Sequence, residues 1–355
     1  DFKNIMSFPN QFPNAKVITL EQNYRSTQPI LDLTNAIINE CKEKYSKSLY
    51  SENPSSQKPV YVEADGENGQ SKFICEKILA LREKGIPLNQ IAVLMRSGWH
   101  SNDLEVELGA HNIPFRKVGG FKFVESSHIK DLVSYLKVIF NPSDRLSWAR
   151  VLGLMEGVGP KTIQTIVTYI NNHLPNPTTT DFNSFKKKAY YADLRYLLDL
   201  IFVQAQGKKP KDLLTLCMEH FKPLFQLKYD DFHKRQTDLD SLLAIAERFS
   251  NLETFLTELS LEPPETTQDN TQVDNDQEEK LILSTIHSAK GLEWHTVFLL
   301  SAIEGYIPSF QSLQDAAQLE EERRLLYVAL TRAEKELYVI KPLIQFSSGR
   351  HYAFI

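Results

Sequence analysis

LILSTIHSAKGLEW (residues 281–294) decides how this chain is read. Its apolar start, 281–283, has the length and composition of a buried strand. The run breaks at Ser284 and Thr285 into small and polar residues: His287, Ser288, Lys290, Gly291 and Glu293. A second apolar run, 297–300, follows at once. A strand that ends in a compact polar turn is where α/β proteins place the groups that touch a ligand.

Working outward, the first third alternates strand and helix signals. VITL (17–20), PVYVEA (59–64) and IAVLMR (91–96) read as strands. Helices are expected over 29–45, 72–82 and 104–111, the last opened by Ser101 as a cap. That alternation implies a parallel sheet with helices on its faces. After Gly119 and Gly120 the pattern changes. From about 129 to 261 helical spacing dominates, as in Leu132, Leu136 and Ile139, then Leu242, Ile245 and Phe249. Pro175, Asn176 and Pro177 break this region. It closes in EPPETTQDNTQVDNDQEEK (262–280), a carboxylate-rich stretch with too little apolar surface to offset its ordering entropy, expected to be a mobile linker. Strands return at 281–283, 297–300 and 337–340, with a helix over 320–335. The C-terminal block holds too few strands to fold alone. The expected organisation is therefore one α/β domain, 1–118 and 280–355, interrupted by a helical domain, 119–279.

Composition narrows the function. The 355 residues, 42% hydrophobic, suffice for two cores. A net charge of −5 provides no global basic field, so any nucleic-acid contact must be local. Cys41, Cys75 and Cys217 are far apart and lack metal-ligand spacing, as expected of free thiols in a cytoplasmic protein, and no metal site is expected. No run is long enough to span a bilayer. The chain begins at Asp1 with Met6 as its first methionine, which reads as the cut end of a longer protein, and it contains no G-x-x-x-x-G-K-[ST] phosphate loop.

Two more segments carry chemistry: LEQNYRST (20–27) and EEERRLLYVALTRA (320–333), the latter with Leu326, Ala329, Leu330 and Ala333 as its buried stripe. With the opening stretch, these resemble the later motifs of superfamily 1 DNA helicases of the UvrD, PcrA and Rep family: QNYRS, T-x-H-S-A-K-G-L-E and a final TRA, in family order across nearly the whole chain. Trp294 stands where the family commonly has phenylalanine.

The resemblance implies a second RecA-like motor domain, without its own P-loop, carrying an inserted accessory domain. It implies ATP hydrolysis coupled to 3′–5′ movement on single-stranded DNA. Arg25 and Arg332 would reach the γ-phosphate of ATP, because a planar, permanently charged fork suits charge spreading over phosphoryl oxygens. Tyr24 would stack on adenine, Glu293 would accept from the ribose hydroxyls, and Gly291 would let the backbone approach. Thr285, His287 and Ser288 would face the DNA backbone. Lys290 is assigned to neither ligand. ATP and Mg²⁺ would be held mainly by a first motor domain N-terminal to Asp1, which leaves this chain alone without ATPase activity.

Within the helical region, GVGPKT (157–162) exposes backbone N–H groups before a helix start and adds a lysine. Gly157, Gly159, Lys161 and Thr162 resemble the turn of helix-hairpin-helix motifs and would touch a phosphate at a duplex junction. The same residues also suit a plain interhelical turn. Taken singly, Arg25 would be a surface ion pair, Tyr24 a half-buried ring, His287 a structural histidine and Glu293 a helix cap. Two rival readings differ in class: a helicase subunit of a recombination helicase–nuclease, since LLYVALTRA fits that family equally, and a non-catalytic DNA-binding or docking module.

Overall fold

A computed structural model of the chain describes residues 18–42, 48–119, 122–174, 185–260, 279–347 and 350–353, with a few isolated positions before them. The expected linker, apart from Glu279 and Lys280, lies outside the described residues, as do Val17, Gly120 and the 175–177 break.

Six parallel strands form one sheet: β1 (Val60–Ala64), β2 (Ile91–Met95), β3 (Phe115–Val118), β4 (Leu281–Thr285), β5 (Trp294–Leu299) and β6 (Ala333–Pro342). Their order is β1-β6-β5-β2-β4-β3, and every pairing is parallel. The expected α/β fold is present. β2 explains why the sheet is one body: it pairs with both β4 and β5, although the helical run separates it from them in sequence. All five of its residues are buried, as an unbroken apolar run requires when helices cover both faces.

Alternation along β2 divides the core. Ile91, Val93 and Met95 face a cluster containing Ile74, Ile78 and Phe298. Ala92 and Leu94 face one containing Ile30, Ile286, Val297 and Leu330. A third cluster is built from residues between Val106 and Leu259, with Trp148, Phe221 and Phe255 among its fully buried rings.

The structure corrects several local expectations. The VITL run forms no strand over its described residues, and Ile18 and Leu20 are 70% and 81% exposed. It has the strand composition without a neighbouring strand. β3, FRKV, was hidden in sequence by Arg116 and Lys117. Ser101 stands at the start of the Asn102–Ala110 helix, but its side chain makes no capping bond; its hydroxyl donates to Glu105 instead (2.7 Å). The helix expected over 320–335 is Ala316–Leu330, opened by Asp315, whose carboxylate accepts from the N–H groups of Ala317 and Gln318. At its end the Thr331 hydroxyl lies within hydrogen-bond reach of the carbonyls of Tyr327 and Val328. Ala333 is therefore the first residue of β6 rather than part of a helical stripe.

Candidate nucleotide and nucleic-acid site

Strand direction sets the geometry. The chain leaves β4 at Thr285, at the strand-exit edge of the sheet, and enters β5 at Trp294, at the opposite edge. Because β2 lies between β4 and β5, residues 286–293 are a crossover that runs back along one face. Ile286 and Ala289 anchor it in the core beneath, while His287, Ser288, Lys290 and Glu293 are exposed. The polar stretch thus presents its two ends at opposite edges.

At the strand-entry edge, NYRS meets the helix-to-strand corner containing Arg332. The Asn23 side chain accepts from the backbone N–H of Arg25 (2.9 Å) and of Ser26 (2.8 Å), a turn that aims Arg25. Ser26 Oγ donates to the Ala333 carbonyl (2.6 Å), and the Thr27 N–H to that of Glu334 (3.1 Å). The loop is thereby tied to the start of β6. Arg25 Nε donates to the Glu293 carboxylate, and its Nη1 reaches the Thr331 carbonyl at 3.4 Å. Arg332 donates from Nε to the Val328 carbonyl and from Nη1 to that of Leu292, each at 3.0 Å. Arg25 alone pairs with Glu293, while backbone carbonyls hold Arg332 near enough to feel both charges. Burial, and next the charge of Arg25, hold the Arg332 pKa below its ordinary value, while Glu293 opposes the shift. A second anion would relieve that repulsion.

Tyr24 is 79% exposed, its hydroxyl donating to Gln22 Oε1 (2.8 Å). A large ring left this open beside two arginines is available for stacking. Gly291 adopts φ +91° with open space where a side chain would project, so the backbone is accessible there. These residues suit a planar, phosphate-bearing molecule. Asn23 and Ser26 carry the local architecture; Asn before an exposed Tyr-Arg pair was the available sequence signal.

At the strand-exit edge, Thr285 Oγ1 donates to Ser288 Oγ (3.0 Å) and accepts from the Ser288 N–H (3.3 Å). Gly119, in the left-handed region at φ +92°, packs on this pair. A β-carbon at Gly119 would lie 2.9 Å from Ser288 Oγ and 3.2 Å from Thr285 Oγ1. Sequence reasoning used Gly119 only as a boundary. Gly119→Ala should lower stability by about 1–3 kcal/mol from backbone strain and crowding. Thermal unfolding checks this, and Ser288→Ala in the same chain should recover only the crowding part.

The glycine turn of the helical region lies between helices Arg145–Leu152 and Pro160–Asn172. Val158 is buried and pins the turn from below, whereas Gly157, Gly159 and Lys161 are exposed and Thr162 is half-buried. Gly157 has φ +76°, and no heavy atom approaches where a β-carbon of either glycine would sit. The Ile163 N–H bonds the Gly159 carbonyl (3.0 Å), starting the second helix. The structure thus forms three groups: Tyr24, Arg25, Gly291, Glu293 and Arg332; Thr285, His287 and Ser288; and Gly157, Gly159, Lys161 and Thr162.

Residues 18–342 match the family described as UvrD-like helicase C-terminal domain. The chain belongs to that family. It is 33% identical to the ATP-dependent DNA helicase PcrA of Bacillus subtilis (strain 168) over 99% of this chain and 50% of the relative. The protein of the same name from Staphylococcus epidermidis (strain RP62A) is 32% identical, and that from Staphylococcus aureus (strain Mu50) 30%, with the same coverage. The chain spans about half the length of the curated relatives it matches. No helix among the described residues is long and apolar enough to cross a membrane.

Proposed function

We propose that this chain is the C-terminal motor portion of an ATP-dependent DNA helicase, moving 3′–5′ on single-stranded DNA in a cytoplasmic repair or replication role. The carrying observation is the placement of Arg332 within electrostatic reach of the Arg25–Glu293 pair, beside exposed Tyr24. A pure DNA-binding or docking module has no use for two arginines poised for phosphate. In this reading they reach the γ-phosphate of ATP bound by a first RecA-like domain of the same protein, which also holds most of the Mg²⁺ coordination. Tyr24 stacks on adenine, Glu293 exchanges Arg25 for the ribose hydroxyls, and Gly291 lets the backbone approach.

Thr285, His287 and Ser288 contact the single strand at the other edge. The crossover 286–293 joins the two ligands by one rigid, core-anchored segment, a physical route from nucleotide state to DNA grip. The helical run, 119–279, acts as an inserted accessory domain whose glycine turn holds a phosphate of the duplex ahead. DNA-stimulated hydrolysis by this chain joined to a P-loop motor domain, measured with and without Arg25→Ala, tests the reading; hydrolysis insensitive to that change contradicts it.

The glycine turn has its own test. Lys161→Glu should weaken binding to a duplex–single-strand junction and reduce the salt slope of that binding by about one. Fluorescence anisotropy across a salt series checks this. Unchanged affinity and slope would leave the turn a structural element.

A further inference from the structure

We propose that Trp99 forms a base-stacking subsite for single-stranded DNA at the strand-exit edge of the sheet; the inference rests on the DNA-binding reading above. The turn Gly98–Ser101 directly follows β2, the strand between β4 and β5. It therefore leaves the sheet at the same edge as Thr285. A β-carbon built on Gly98 would lie 3.9 Å from the Gly119 carbonyl oxygen. Gly119 in turn packs on Thr285 and Ser288. The indole thus begins one residue away from the surface that presents hydroxyls for a DNA backbone.

The ring is held rather than loose. His100 and Tyr306 stack in parallel, centroids 4.2 Å apart and 15° between planes. Trp99 meets both at right angles, 4.3 Å from His100 and 5.0 Å from Tyr306. Edges set against a face in this way fix an aromatic ring without flexible side chains. Burial, and next the charge of Arg96, push the His100 pKa down to about 3, so the support is uncharged at neutral pH. Tyr306 is 5% exposed, whereas Trp99 stays partly exposed. A core ring would be covered as fully as the other two tryptophans, Trp148 at 0% and Trp294 at 5%. Proteins that track single strands without sequence preference combine backbone contacts with an aromatic face for the bases. This edge supplies both.

The same contrast in burial supplies the experiment. Trp99 is the partly exposed member of the three tryptophans in the chain, so it reports on its own surroundings. Oligo-dT titrated into the 355-residue chain should quench tryptophan emission. Trp99→Phe should remove the quenching and keep most of the affinity. Trp99→Ala should weaken oligo-dT binding about fivefold or more, fivefold being the lower end of what one stacked base supplies. It should leave binding of an abasic oligomer of equal length unchanged. Full affinity in Trp99→Ala, or equal losses for dT and abasic oligomers, overturns the subsite. Thr285→Ala/Ser288→Ala weakening dT binding while Trp99→Ala does not would strike the subsite alone. No dT binding by the unaltered chain would strike the DNA reading as well.

Discussion

Arg332→Ala, in the protein that carries both motor portions, should lower kcat for ATP hydrolysis by roughly 10³–10⁵. Arg332 occupies the corner between the Ala316–Leu330 helix and β6, held through backbone carbonyls on two elements. Its place is therefore set before nucleotide arrives, and a preorganised charge contributes to the transition state without reorganisation at the moment of reaction. KM for ATP should change far less than kcat, because the developing charge on the phosphoryl oxygens is a feature of the transition state. Binding of single-stranded DNA should stay unchanged, since the proposed DNA contacts, Thr285 and Ser288, lie at the other edge. Arg332→Lys should recover little: an ammonium cannot reproduce the forked donation to Val328 and Leu292. Steady-state kinetics with the three proteins check the split. A loss under tenfold would remove Arg332 from the chemistry.

Glu105→Ala should have the largest effect on stability, about 3–5 kcal/mol. The Glu105 side chain is 2% exposed and that of its partner Lys117 6%, at 2.6 Å. Its carboxylate also accepts from Ser101 Oγ (2.7 Å) and from the backbone N–H of Phe123 (2.7 Å). These bonds hold the turn after β2 and the chain leaving β3 against one helix. Removing the carboxylate strands a buried ammonium together with the Phe123 N–H, while the Ser101 hydroxyl keeps the Gly98 carbonyl (2.8 Å). Lys117→Met added to Glu105→Ala should recover much of the loss, because a buried pair is costly chiefly when only half of it remains. Urea unfolding of the single and double variants measures this. A double variant no more stable than the single would show that packing, not charge, accounts for the loss.

That ion pair also shows what sequence could reveal. β2, β4 and β5 announce themselves as apolar runs because helices cover both sheet faces. β3 does not: its Lys117 is buried by pairing with a glutamate twelve residues earlier. A pattern of apolar and polar residues cannot express such pairing. The opposite failure occurs at Ile18 and Leu20, apolar residues without a strand beside them. Three motifs were legible because each concentrates charged or small residues at an element boundary. Their division between two edges was not, since it depends on β2 lying between β4 and β5. Sequence therefore read 285–293 as one turn, whereas the structure makes it a crossover. Gly119 escaped for the same reason: its role lies in contacts with Thr285 and Ser288 across the sheet edge.

The most direct test is ATP hydrolysis by this chain alone and joined to an N-terminal P-loop motor domain of the same family, each with and without single-stranded DNA. A motor portion that supplies arginines but no phosphate loop should give no turnover alone and DNA-stimulated turnover when joined. Hydrolysis by the isolated chain that Arg332→Ala abolishes, or a joined protein indifferent to DNA, would contradict it.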